Sequence, residues 1–220
     1  MRSFDAFNYD GRATLSSIIA SSEYGSLEQA VAALAVFAHP HTVLQTRGLN
    51  VFSVVRARSR AERGTQVILT SGETVMLDDN SAPTNAFGWV HGLRRQGERL
   101  RDVQFNHLWP KSADVSAYTN LTNLCMMPAF LSKLSDTDST ICALLRYRAW
   151  KLYSGPLAWD TAPEPPSIYD GLRWAETLPP VDNVERTYRA AMHTRPADRT
   201  TRSARECGWL FSQFRPDPGL

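Results

Sequence analysis

Paired cysteine motifs are missing from this chain. Cys125, Cys142 and Cys207 are scattered along the 220 residues. Without a Cys-x-x-Cys pair there is no zinc knuckle, and no structural zinc is expected. Cysteine usage this sparse fits a reducing cytoplasm. No apolar run approaches the length of a membrane span, and Met1 to Gly11, interrupted by Asp5, Asn8 and Asp10, lacks the apolar core of a signal peptide. The expectation is a cytoplasmic protein with no membrane partner. There is no P-loop, no glycine pattern for a dinucleotide and no internal repeat. Lysine is scarce: of the 24 lysines and arginines, only Lys111, Lys133 and Lys151 are lysine. A net charge of +2 means that the chain is not globally basic. Arginine forks suit phosphates, although a GC-rich genome produces the same bias.

The length bounds the chain to one large domain or a core with appendages, enough to bury a sizeable core. Ser26 to Ala38 reads as a helix, with Ser26 as N-cap and Leu27, Val31, Leu34, Ala35 and Ala38 as its apolar stripe. His39-Pro40-His41 then makes a helix-to-strand turn. Thr42 to Leu77 looks β-rich. In Arg56-Ala57-Arg58-Ser59-Arg60, alternation puts the guanidinia on one face. Two readings stand there: a phosphate-contacting edge, or a solvated edge protected by charge. Val67–Thr70 and Glu73–Leu77 flank Ser71-Gly72 as a hairpin. Asp78-Asp79-Asn80 caps a helix over Pro83–Gly92, and Asp78 or Asp79 is also the first reserve for a metal ligand.

Arg94, Arg95, Arg99 and Arg101 form a basic run leading into a short strand, Val103-Gln104-Phe105. Ser139 to Tyr153 is a second helix. Ile141, Leu144, Leu145 and Leu152 face a core, while Arg146, Arg148 and Lys151 alternate with Tyr147 and Trp150, a mixture that can hold a nucleic-acid strand. Gly155 to Pro166, with Pro156, Pro163, Pro165 and Pro166, is an extended connector. Short helical pieces are expected over Ser167–Glu176 and Val184–His193. Arg195–Arg205 is arginine-rich and reads as mobile. Trp209, Leu210, Phe211 and Phe214 form an apolar patch.

The segment carrying chemistry is Asn106-His107-Leu108-Trp109-Pro110-Lys111-Ser112, followed by Asn120-Leu121-Thr122-Asn123-Leu124-Cys125. A strand end aims His107 rigidly, and Trp109-Pro110 ends the strand because proline cannot donate to a ladder. Imidazole titrates near neutrality and can take a proton from water. Asn106 offers a hard oxygen suited to Mg²⁺. Lys111 to Thr119 is loop-like, and Asn123 to Leu134 reads as a helix entry with an apolar face.

This stretch resembles the HNH, or ββα-metal, endonuclease superfamily over roughly Val103 to Leu134. Asn106-His107-Leu108-Trp109-Pro110 matches the family's acidic-His-apolar-x-Pro half. Asn123-Leu124-Cys125 matches its Asn-Leu and helix half, and Lys133 lies where a basic residue is common. The resemblance implies that His107 is the general base, that Asn106 and Asn123 are metal ligands for Mg²⁺ or Mn²⁺, with Asn123 alternatively holding the base-bearing loop, and that Lys133 offsets charge. Three departures stand: Asn106 replaces an acidic ligand, Leu131 and Ser132 occupy the place of the helix His or Asn, and Asn120 competes with Asn123 for the central role.

The expected fold is α+β: a ββα-metal core over 66–155, an N-terminal helix and strand region over 1–65, and a proline-containing connector with a helical region over 156–220. The expected function is metal-dependent hydrolysis of phosphodiester bonds, of DNA before RNA. Arg94, Arg95, Arg101, Lys111 and Arg146 are the expected backbone contacts. A restriction or anti-phage defence nuclease, as a homo-oligomer or within a larger defence complex, fits the resemblance. The alternative is a non-catalytic nucleic-acid- or protein-binding subunit on a degenerate HNH scaffold.

Overall fold

The computed structural model describes residues 10–93, 102–153 and 162–212. Arg94, Arg95, Arg99, Arg101 and Phe214 lie outside the described residues. The architecture is α+β, with helices arranged around two small sheets.

Helices α1 (Gly11–Ala20), α2 (Leu27–Leu34) and α3 (Pro40–Gln45) open the described chain. Ser26 caps α2 by accepting from the Gln29 N–H at 3.1 Å. The helix stops short of Ala38 because Val36 leaves it to exchange two backbone bonds with Met126. His39-Pro40-His41 is not the expected turn into a strand. It starts α3, with His39 as N-cap and Pro40 at the first helical position, where its missing N–H is harmless.

The first sheet has strands β1 (Val54–Arg56), β2 (Gln66–Ile68) and β3 (Thr74–Asp78) in the order β1-β3-β2. β2 and β3 form the expected antiparallel hairpin, and Gly72 takes a φ of 83° in its turn. β1 runs parallel to β3. Arginines 58 and 60 lie beyond β1, in a bend rather than on an extended strand. α4 (Ser81–Val90) follows. Its start is fixed by the Asp79 carboxylate, which accepts from the Ser81 N–H at 2.8 Å.

The second sheet is an antiparallel pair, β4 (Val103–His107) and β5 (Leu124–Pro128), joined through the short helix α5 (Val115–Tyr118) and a 3₁₀ turn over Leu121–Asn123. The expected helix after Asn123 is therefore a strand first. Leu124-Cys125-Met126-Met127 is apolar on both faces. It is covered by the helices on one side and paired at its edges with β4 and Val36. Pro128 ends it and opens α6 (Ala129–Ser132), α7 (Leu134–Thr137) and α8 (Ser139–Tyr153).

The C-terminal part corrects two expectations. Over Ser167–Glu176 only a 3₁₀ turn forms, at Tyr169–Gly171. The chain then runs extended, donating from Ala175 to the Ala32 carbonyl and from Leu178 to the Phe37 carbonyl. Pro179-Pro180 bars a helix there. After α9 (Val184–His193), the arginine-rich stretch is an ordered helix, α10 (Arg199–Glu206), capped by Asp198. One buried cluster runs from Ile19 through Phe52, Phe87, Leu124 and Ile141 to Tyr188 and Trp209. It thus draws on all three stretches of the chain. At its centre Phe52 meets Trp89, Tyr188 and Trp209.

Candidate active site at the end of the second hairpin

His107 is the last residue of β4, opposite Leu124. The ladder is extended one step beyond it, where the Leu108 N–H donates to the Asn123 carbonyl at 3.0 Å. The loop then returns through α5, which Asp114 caps from the Ser116 N–H. Asn120 caps the following 3₁₀ turn from the Thr122 N–H and ties it to the Gly48 carbonyl.

Asn123 closes this loop. It is 0 % exposed. Its Oδ1 accepts from the Trp109 N–H at 2.8 Å, and its Nδ2 donates to the carbonyls of Ala117 (3.1 Å) and Trp109 (3.2 Å). Of the two roles left open for Asn123, the geometry matches the second: it holds the segment that carries His107. Its amide oxygen faces a backbone N–H, so it does not fit a metal-ligand role. Asn120 bonds Gly48, Ser116 and Thr122 and stabilises the turn.

His107 has a defined tautomer. Its Nε2 lies 2.9 Å from the Tyr118 carbonyl. A carbonyl can only accept, so Nε2 carries the proton and Nδ1 holds the lone pair. Nδ1 has no hydrogen-bond partner among the described residues. The ring stacks on that of Tyr118, with centroids 5.2 Å apart and planes 9° apart. Burial holds the imidazole below its ordinary pKa, opposed by the Tyr118 carbonyl; the Arg56 charge also lowers it and Asp136 raises it. His107 is therefore a neutral base at neutral pH.

Asn106 points to the other face of the strand, toward α6 and α7. Its Nδ2 donates to the Ser132 carbonyl at 2.8 Å and to Ser135 Oγ at 2.7 Å. Ser135 Oγ in turn donates to the Ser132 carbonyl. Because a carbonyl must be met by N–H, these bonds also fix which way the amide faces. Asn106 Oδ1 is thereby left buried with no hydrogen-bond partner, a position that costs roughly 1–3 kcal/mol if nothing binds it.

That orphaned oxygen is the test for the divalent cation implied by the resemblance. Asn106 Oδ1 is a hard donor without a protein partner. Mg²⁺ keeps several waters and takes further oxygens from substrate phosphates, so its anchor must open to solvent. Asn106 Oδ1 is buried against α6 and α7, on the strand face opposite His107, and does not fit such an ion. Among the described residues no three His, Cys, Asp or Glu side chains converge into an all-protein cage.

The remaining expected contacts separate. Lys133 sits between α6 and α7 with its side chain 78 % exposed, 3.4 Å from Asp136. Lys111 is exposed on the turn after Pro110. Arg146 turns inward: its Nε donates to the Leu108 carbonyl at 2.7 Å, and its guanidinium lies over Trp109. It braces the loop while remaining half-buried. Arg94, Arg95 and Arg101 lie outside the described residues. Asp78 and Asp79, the reserve ligands, are committed to Arg199 and Arg63.

Tyr118 and Ser135 carry roles that sequence reasoning missed. Only the Ser132/Ser135 spacing, one helical turn apart, signals a shared face opposite Asn106. Compared with known proteins, the chain matches no family model, no curated protein and no solved structure.

Proposed function

We propose that this chain is a nuclease that hydrolyses phosphodiester bonds, of DNA first, on a strand–loop–strand–helix unit of the ββα-metal kind, with His107 as general base. The observation that carries this reading is the His107 tautomer: Nε2–H is spent on the Tyr118 carbonyl, and Nδ1 is an unoccupied base at a rigid strand end. In the reaction, Nδ1 takes a proton from water as the water oxygen bonds to phosphorus. The bond to the leaving oxygen breaks, and that oxygen is protonated from solvent. Asn123 keeps the loop, and with it the imidazole, in place. Asn106, on the opposite strand face, anchors β4 to α6 and α7 through Ser132 and Ser135.

A second reading is a binding subunit on a degenerate scaffold of the same order. It is favoured by the neutral character of the Asn106, Ser132 and Ser135 set, which has no carboxylate to hold a cation tightly. The test is incubation of purified protein with supercoiled plasmid, single-stranded DNA and RNA in Mg²⁺, Mn²⁺ or chelator. Under the nuclease reading, cutting falls about 10²-fold or more in His107→Ala. Binding without cutting in any metal selects the second reading.

A further inference from the structure

Beside the His107 site lies a cleft of about 440 Å³, lined by Arg56, Arg63, Asn80, Ser81, Thr84 and Arg199 and floored by Asp79. Three guanidinia converge on it from three separate parts of the chain. Arg199 is clamped by Asp78 (2.7 Å) and Asp79 (3.0 Å), and Arg63 by Asp79 (2.8 Å). The Asp78 carboxylate, 1 % exposed, also accepts from the Asp79 N–H and Ser81 Oγ, so it is saturated from within. Arg56 is different. Its Nη1 donates to Asn80 Oδ1 at 3.0 Å, and no carboxylate pairs with it among the described residues. Three cations against two carboxylates leave the cleft one positive charge in excess. A guanidinium offers five N–H donors in a fixed fork, and these contacts use only a few of them.

The cleft is joined to the candidate base. The Tyr118 ring stacks on His107, and its hydroxyl donates to the Asp79 carbonyl at 2.9 Å. The Arg56 N–H donates to the Ser112 carbonyl, within the loop that leaves β4. A rigid cationic cleft one aromatic ring away from a hydrolytic base is shaped for a second phosphate of the same strand.

We infer that the Arg56–Arg63–Arg199 cleft binds a backbone phosphate of a nucleic-acid strand, flanking the one presented to His107. The substrate is then a polynucleotide gripped on both sides of the attacked bond, and a single nucleotide is held poorly. The placement of this phosphate next to the reacting one rests on the nuclease reading. The anion site itself does not.

The experiment is fluorescence anisotropy with a labelled single-stranded oligonucleotide of about 20 nucleotides, in chelator and across a salt series. It uses the full chain and the variants Arg56→Ala, Arg56→Lys, Arg63→Gln and His107→Ala, with Arg60→Ala, outside the cleft, as control. Melting temperatures establish that each variant is folded. The expected result is about tenfold weaker binding in Arg56→Ala and Arg63→Gln, a salt slope shallower by about one, partial retention in Arg56→Lys, and no change in Arg60→Ala. The inference is overturned if Arg56→Ala and Arg63→Gln bind as the parent does, if the parent fails to bind the oligonucleotide, or if a nucleoside monophosphate competes as well as the oligonucleotide. Cleavage that survives His107→Ala, together with binding lost in Arg56→Ala, would remove His107 as the base and leave the anion site standing.

Discussion

Asn123 meets only backbone, and this decides what its replacement does. Removing the amide deletes three hydrogen bonds at a fully buried position, to the Trp109 N–H and to the carbonyls of Trp109 and Ala117. Asn123→Ala is expected to cost about 2–4 kcal/mol in urea denaturation. Asn123→Asp is expected to be no better, because it loses both Nδ2 bonds and buries a charge. An Asn123→Asp variant that instead bound Mn²⁺ more tightly at parental stability would restore the metal-ligand role. His107 and His91 give a pH prediction. Burial holds both below their ordinary value of 6.5, each opposed by one backbone carbonyl. In the window from 6.5 down to the folded-state values, the unfolded chain binds more protons than the folded one. Stability is therefore full above 6.5 and lost as pH falls through that window. The urea midpoint should drop between about pH 7.5 and about pH 5.5, and less steeply in His91→Gln. The pH at which cleavage by His107 falls to half should lie below 6.5, since burial lowers its pKa. At this scale much was legible. Asn106-His107 and Asn123 stand out in the sequence because their spacing around Pro110 is distinctive. Tyr118 was not legible as the partner of His107, because its contribution is a backbone carbonyl that any residue supplies.

Among the elements, α8, α9 and the β2–β3 hairpin follow from periodicity and turn chemistry alone. β5 did not. Leu124 to Met127 has no polar phase to separate a period of 3.6 from one of 2, and only pairing with β4 and Val36 selects the strand. The same long-range pairing cut α2 short. Arg146 illustrates how an element's exposed face is misread. On α8 it belongs by phase to a cationic side, yet the β4–β5 loop covers it and takes its Nε at the Leu108 carbonyl. Arg146→Met is accordingly expected to lower stability by about 1 kcal/mol while leaving the salt slope of DNA binding unchanged. A shallower slope would return Arg146 to the set of phosphate contacts.

Across the whole molecule, the end of the central strand β3 is tied to the C-terminal helices. Arg199 reaches back to Asp78 and Asp79, Asn85 donates to Asp198 and Thr200, and Trp209 bridges to Phe52. None of this was readable from Arg195–Arg205, where arginine density suggested a free tail, because the partners sit more than a hundred residues upstream. Arg199→Ala strands a carboxylate that is 1 % exposed. The loss is expected to be about 2 kcal/mol, below the roughly 3–5 kcal/mol of a fully buried pair, because the guanidinium is itself 39 % exposed. Asp78→Asn in the same chain should recover part of it, and equilibrium denaturation of the single and double variants measures both. The Trp209–Phe52 bridge also bears on truncation. A chain cut before α10 would keep His107, Asn106 and Asn123, and Phe52 would still meet Trp89 and Tyr188, yet it would lose the indole stacked on Phe52 and the guanidinium that offsets Asp78. Because domains fold as units, such a chain is expected to fold less stably although every residue of the candidate site is present.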